Sequence, residues 1–359
     1  MLDLGYQTRI VADEVAAGFA RVIDASAFIL GPDVTAFEEE YASYLSVKHV
    51  LGVGNGTDAL VLALRAAGVG EGDEVILPTN TFVATAEAVV MAKAAITFVD
   101  CGPDYLIDLD ALREAVTPST RAVIAVHLYG QVAPIARIRE IIGDHVILIE
   151  DAAQSQGARA GGAWAGALGD VAATSFYPGK NLGAFGDAGA VMTNSDAIAE
   201  TVRALRNHGG LRKYEHTEIG TNSRLDTLQA VVLRAKLARL DEWNAERKAI
   251  AARYTAELAG VEGVATPVLT GSDHVYHQYV IEVHDRDRIL GELNAEGIGA
   301  GIHYPAPVHL LPAFAALSPG PGAFPTAERQ ASRILSLPVY PGLTESMQTQ
   351  VISQLTRRL

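Results

Sequence analysis

HVILIEDAAQSQGA, residues 145–158, begins with apolar residues on consecutive positions and ends with two carboxylates, Glu150 and Asp151, before a run of small and polar residues. Consecutive rather than alternating apolar positions mark a strand buried on both faces, the kind found in parallel sheets covered by helices. A carboxylate leaving such a strand at its carboxyl end stands where ligands collect in sheets of this type. Of the adjacent pair, Glu150 must point to the opposite side from Asp151, because side chains alternate along a strand.

Outward from this segment the pattern repeats. Between about Lys48 and Asn194, HVLGV (49–53), EVILP (74–78), AITFVD (95–100), AVIAVHL (122–128), VAATSFY (171–177) and GAVMTN (189–194) alternate with helical or loop stretches. That order predicts an α/β fold with a mainly parallel central sheet. After Leu225 one long helical pattern, residues 225–258, bridges into a C-terminal α+β unit. That unit contains YHQYVIEV (276–283), a helix near Arg286–Glu296 and a last helix ending at Leu359. The expected division is a large ligand-binding domain over 1–235 and a small domain over 236–359, with the extreme N-terminus a candidate to pack on the small one. No repeat or low-complexity tract interrupts it.

Composition narrows the function. The formal net charge of −14, with no basic cluster, disfavours nucleic acid. No apolar run reaches the roughly 20 residues of a membrane span. The start MLDLGYQTRI lacks the features of a signal peptide, and Cys101 is the only cysteine, so a cytoplasmic protein without disulfides is expected. No compact His spacing suggests a metal.

Chemistry concentrates after the strands. Lys180 lies in SFYPGKNLGAFGDAGA (175–190), among glycines that open unusual backbone conformations. A phosphate-loop reading fails, since Thr174 occupies the place of its first Gly and Asn181 that of its Ser or Thr. GVGNGTDALVLALRAAG (52–68) reads as strand, turn and helix, whose N-terminus suits a phosphate. A dinucleotide fingerprint would need Gly where Thr57 stands. PTNTFVATAEAV (78–89) brings Phe82 to the same edge, either as core or as a stacking face for a flat ring. With a lysine–aldehyde adduct nearby, the Asp151 carboxylate has a specific use in keeping a pyridine nitrogen protonated.

Taken in order, GNGTDAL, PTNTFVAT, EDAAQSQGA, SFYPGKNLGAFGDAGA and GTNSRLDTLQA resemble the DegT/DnrJ/EryC1/StrS sugar aminotransferases, from about Phe28 to Pro341. The resemblance implies the aspartate aminotransferase fold (fold type I) and pyridoxal 5′-phosphate as cofactor. It implies that Lys180 forms the Schiff base and Asp151 pairs with the ring nitrogen. Gly56, Thr57 and Ser175 would contact the phosphate, Gln154 would lie near the ring hydroxyl and Phe82 would stack on the ring. Asn222 would complete the phosphate site of a neighbouring subunit in a homodimer, with Arg224 bracing its loop. RNHGGLRKYEH (206–216) and GIHYPAPVHL (301–310) match segments lining the sugar-nucleotide pocket, which makes Tyr177, Lys213, Tyr214, His216, His303, Tyr304 and His309 the expected substrate contacts.

The implied activity is transamination of a nucleotide-linked keto sugar with L-glutamate as donor. Tyr177 after Phe176, and the loop from Asn181 to Gly189, resemble members acting at C3 rather than C4, which points to a dTDP-3-keto-6-deoxyhexose in preference to a UDP sugar. The alternatives are a C4-specific aminotransferase, a sugar dehydratase of the same family, which carries His where Lys180 stands, and a non-enzymatic cofactor-binding regulator.

Overall fold

The computed structural model describes residues 2–212 and 214–359. Its strands are β1 (His49–Val53), β2 (Glu74–Pro78), β3 (Ala95–Val99), β4 (Thr120–Val126), β5 (Ile147–Asp151), β6 (Arg159–Ala160), β7 (Ala163–Trp164), β8 (Val171–Ser175), β9 (Gly189–Thr193), β10 (Val264–Ala265), β11 (Tyr279–Val283) and β12 (Ile334–Leu337). Helices α1 (Leu4–Asp24), α2 (Pro32–Leu45), α3 (Gly56–Ala66), α4 (Val83–Met91), α5 (Leu109–Ala115), α6 (Ile135–Ile142), α7 (Asp196–Leu205), α8 (Thr227–Leu237) and α9 (Leu240–Leu258) precede α10 (Arg286–Ala295), α11 (Pro325–Ala331) and α12 (Glu345–Thr356).

Seven strands form one sheet in the order β1-β9-β8-β5-β4-β2-β3. All are parallel except β9, which runs antiparallel to both β1 and β8. The α/β expectation therefore holds, and the seven predicted strands coincide with these seven to within two residues at each end. The carboxyl ends of β1, β5 and β8 meet at one edge, together with the start of β9. Leu51, Val53, Leu62, Leu64, Ile124 and Ile149 are completely buried. Burial of each such side chain contributes about 1.5–3 kcal/mol, against about 0–1 for a surface ion pair, so apolar packing holds the sheet.

A second sheet, β10-β11-β12, carries its own apolar cluster with Ile250, Tyr254 and Leu258 of α9 and Leu355 of α12. The helical stretch predicted as continuous over 225–258 is broken at Ala238–Arg239. The reason is a change of partner. α8 packs on α1 and α2 beside the large sheet, whereas α9 turns Ile250, Tyr254 and Leu258 toward the small one. The N-terminal helix α1 packs mainly on α8, through Val11, Val15, Val232 and Ala235. No helix among the described residues is long and apolar enough to cross a membrane.

Candidate active site

A cavity of about 880 Å³ opens at the carboxyl edge of the large sheet and is also lined by residues of the C-terminal segment, including His303, Tyr304 and Val339. That volume lies in the upper part of the range of roughly 300–1,000 Å³ typical of small-molecule sites.

β5 delivers Asp151 to this cavity. Its Oδ2 accepts a hydrogen bond from Thr85 Oγ1 (2.8 Å) and its Oδ1 one from the Ala153 amide (3.2 Å), while Thr85 is itself paired with Thr81 (2.8 Å). A carboxylate has about four lone-pair sites, so capacity remains toward the cavity. Glu150 faces away, as strand alternation requires, and accepts from His127 Nε2 (2.8 Å) and the amides of Gly166, Leu168 and Gly169 (2.7–2.8 Å).

The β8–β9 connection delivers Lys180, which lines the same cavity. Among the described residues its ammonium has neither a hydrogen-bond nor an ion-pair partner. Burial pulls its pKa down to about 8, with the Asp151 charge opposing the shift. The backbone beside it is tied down. Asn181 Nδ2 donates to Asn244 Oδ1 (2.8 Å) and Val275 O (3.0 Å), and Lys236 Nζ donates to Gly183 O (2.7 Å).

At the other end lies the start of α3. The Asn55 side chain caps it by accepting from the Asp58 amide (2.8 Å), and among the described residues the Gly56 and Thr57 amides have no acceptor. The turn is close to β8 and β9. A Cβ on Gly56 would lie 2.6 Å from Ser175 Cβ, and one on Gly189 would lie 2.5 Å from the Asn55 carbonyl. This cradle of two free amides and the Ser175 hydroxyl fits a phosphate. The cationic and anionic side chains beyond it fit a group carrying an aldehyde and a basic ring nitrogen.

The remaining expected contacts divide. Phe82, Gln154, Tyr177, His303 and Tyr304 all line the cavity. Phe82 and Tyr304 are in ring contact, with centroids 5.3 Å apart. Gln154 is engaged at both ends, accepting from the Tyr129 amide (2.6 Å) and donating to Tyr304 Oη (3.1 Å). Burial raises the Tyr304 pKa, and the Asp151 charge adds to it. Burial lowers that of His303 to about 4, with Lys180 contributing, so its ring is neutral near pH 7.

His309 lies elsewhere, fully buried between Thr79 (2.7 Å) and Glu328 (3.1 Å). Asn222, Tyr214 and His216 are exposed and do not line the cavity of their own chain. Arg224 does brace that loop, donating to Asn207 Oδ1 (2.9 Å). Lys213 lies outside the described residues.

Two basic cavity residues, His277 and Arg247, escaped the sequence reading. His277 is held off protonation by burial and by the nearby charges of Lys180 and Arg247. Arg247, on α9, is almost wholly buried, yet burial lowers its pKa only to about 10, which leaves it charged. The available signal for Arg247 was a charged residue within the apolar stripe Trp243, Ile250, Tyr254 and Leu258 of an amphipathic helix.

The profile of the DegT/DnrJ/EryC1/StrS aminotransferase family covers residues 10–356. The chain belongs to that family. It is 46% identical to the dTDP-3-amino-3,4,6-trideoxy-alpha-D-glucose transaminase of Streptomyces venezuelae, over 98% of this chain and 93% of the relative. Its fold is similar to the crystal structure of S. venezuelae DesV in complex with a ketimine intermediate. The TM-score is 0.97, with 44% identity over 99% of this chain and 97% of that one. It is also similar to Bacillus subtilis NtdA with bound cofactor PMP, with a TM-score of 0.90 and 32% identity over 96% of this chain and 81% of that one. The expected fold, family and aminotransferase activity are thereby established for this chain.

Proposed function

We propose that this protein transfers an amino group to C3 of a dTDP-linked 3-keto-6-deoxyhexose, with pyridoxal 5′-phosphate as cofactor and L-glutamate as donor. The observation that carries the reading is the unpaired Lys180 ammonium in one cavity with the Asp151 carboxylate and the two free amides at the start of α3. Likeness to the transaminase of S. venezuelae supports the dTDP carrier and the C3 position.

The Gly56 and Thr57 amides and the Ser175 hydroxyl would hold the phosphate, with the positive end of α3 behind them. Asp151, fixed by Thr85, would keep the ring nitrogen protonated. The bound cofactor supplies a carbonyl for amine capture and a ring that takes up the electron pair of a broken Cα–H bond. Lys180 Nζ would hold the cofactor covalently, yield that bond to the incoming amine, and as a neutral amine carry the proton from the donor Cα. Its depressed pKa makes the neutral form accessible near neutral pH. Phe82 and Tyr304 would fix the ring plane, and Tyr177 at the mouth, beside the 181–187 loop, would help choose the sugar carbon presented to it.

The active unit is read as a homodimer in which Asn222 reaches the partner's phosphate site. Within each chain, residues 1–235 are read as the large cofactor-binding domain and 236–359 as the small C-terminal domain.

The test is to incubate purified protein with glutamate and a panel of dTDP- and UDP-linked 3-keto and 4-keto sugars, reading products by mass spectrometry and NMR. A 3-amino product from the dTDP 3-keto sugar is expected. Direct conversion of dTDP-4-keto-6-deoxyglucose to a 4-amino product, with the 3-keto isomer untouched, would overturn the C3 assignment.

A further inference from the structure

Tyr129 follows β4 and holds a backbone conformation that a bulky L residue rarely adopts, with φ 59° and ψ −1°. Such a conformation persists only where the surroundings over-determine it. Glycine would relieve the backbone but would remove the phenol, which is buried and kept protonated by that burial. Every polar group of Tyr129 is engaged. Its amide donates to Gln154 Oε1 (2.6 Å), its carbonyl accepts from the Gln278 amide (3.2 Å), and its hydroxyl donates to the His303 carbonyl. Gln154, Gln278 and His303 all line the cavity, whereas Tyr129 does not.

Two of these bonds converge on Tyr304. The His303 carbonyl belongs to the peptide group that leads into Tyr304, so the Tyr129 hydroxyl holds the backbone of that residue. At the other end, Gln154 Nε2 donates to Tyr304 Oη (3.1 Å). A backbone N–H can only donate, so the Tyr129 amide selects the oxygen of the Gln154 side chain and turns its nitrogen toward Tyr304. Tyr304 Oη accepts from that nitrogen, which leaves its own proton free for a further acceptor, and burial keeps the proton in place near pH 7. The Tyr304 ring is in contact with Phe82 at a centroid distance of 5.3 Å, and Tyr105 packs edge-on against Tyr129 at 5.2 Å.

We infer that Tyr129 is a positioning residue for the transamination, gripping Tyr304 at its backbone and at its hydroxyl so that the phenol presents a hydrogen-bond donor to an oxygen of the keto sugar. The inference rests on the proposed function, in which Tyr304 contacts that sugar. Gln154 follows β5, while His303 and Tyr304 belong to the C-terminal segment, so Tyr129 fixes the spacing of two cavity walls from outside the cavity. A side chain held at one point pivots, but one held at two keeps both its ring plane and its hydroxyl direction. Among the described residues, neither the Lys180 and Asp151 side chains nor the phosphate cradle shares a hydrogen bond with Tyr129. Its influence therefore falls on the sugar and spares the hold on the cofactor.

The test compares the wild-type holoenzyme with Tyr129→Phe, Tyr304→Phe and the double variant, using glutamate and a dTDP-linked 3-keto-6-deoxyhexose. Tyr129→Phe keeps the ring and loses the bond to His303. It should lower kcat/KM for the keto sugar by about tenfold, the worth of one hydrogen bond, and leave kcat/KM for glutamate and cofactor retention within about twofold. Because Tyr129 acts through Tyr304, the double variant should lose little more than Tyr304→Phe alone. Fully additive losses, or an equal fall for both substrates, would mark general loosening and overturn the inference. A crystal structure of Tyr129→Phe gives a readout that needs no sugar: Tyr304 Oη should draw away from Gln154, and an unmoved Tyr304 refutes the assignment. If Tyr304 moves there while the wild type aminates no keto sugar, the positioning role stands and the proposed sugar reaction is rejected. If Tyr129→Phe does not fold, a structure of the wild-type holoenzyme with the dTDP-linked amino sugar decides, since a Tyr304 hydroxyl that makes no bond to the sugar refutes the inference.

Discussion

Glu150 and Asp151 are adjacent on β5, yet Glu150 is bound by four donors on one face of the sheet while Asp151 is bound by two and opens onto the cavity on the other. Conservative amide substitutions should therefore separate stability from chemistry. Asp151→Asn should fold normally and lower kcat by on the order of a hundredfold, through loss of a charged contact to the cofactor. Glu150→Gln turns an acceptor into a donor facing backbone amides, and should lower stability by about 1–3 kcal/mol with kcat nearly intact. Thermal melts and steady-state rates on the two variants check both.

Lys180 gives a pH dependence to the formation of holoenzyme. Its folded pKa, about 8, lies below the ordinary value of 10.5. The neutral amine is the nucleophile, so capture of pyridoxal phosphate by the apoenzyme should accelerate as pH rises through about 8 and level off above it. An unperturbed lysine would still be accelerating at pH 9.5. Stopped-flow absorbance across pH 6.5–10 distinguishes the two profiles.

Gly189 faces backbone rather than side chain. A Cβ there would lie 2.5 Å from the Asn55 carbonyl and 2.8 Å from Thr174 O. Gly189→Ala must push the start of α3 away from β8 and β9, at an overpacking cost of about 1–3 kcal/mol. The expected result is a weaker hold on the cofactor, by about tenfold or more, seen as faster loss of the bound chromophore on gel filtration.

A shared site predicts complementation. Lys180→Ala and Asn222→Ala should each be inactive or severely impaired alone, with Lys180→Ala retaining cofactor through Asp151 and the phosphate cradle. When the two are unfolded and refolded together, heterodimers should hold one fully wild-type site each, restoring about a quarter of all sites. Absence of recovery, or a fully active monomer by sedimentation, would remove Asn222 from the neighbour's site.

The sequence made the large sheet legible because buried parallel strands announce themselves as short apolar runs, and β1 and β2 match their predicted limits residue for residue. Lys180, Asp151 and the start of α3 were legible for a related reason, being polar groups placed directly after such runs. The turn at Ala238–Arg239 was not, since neither Gly nor Pro marks it and only the change from one sheet to the other produces it. The short strand β12 was also missed. His309 shows the limit of reading polar residues in loops as ligands, because its two nitrogens are bound by Thr79 and Glu328, 230 and 19 residues away, contacts that no local pattern encodes. Arg247 was overlooked for the converse reason, as a charge hidden within a helix that otherwise reads as packing.

The antiparallel strand β9 also sets the sequence distance that the sheet must close. His49 pairs with Thr193 and Val53 with Gly189, so β1 pairs with a neighbour that is the last of the seven strands to be synthesised. Closing so long a loop is slow, because its entropy is lost before the contacts repay it. The cradle bounded by Asn55, Ser175 and Gly189 thus exists only once segments far apart in sequence have come together. A ligand held there by all three segments favours the folded chain and draws the population toward it by mass action.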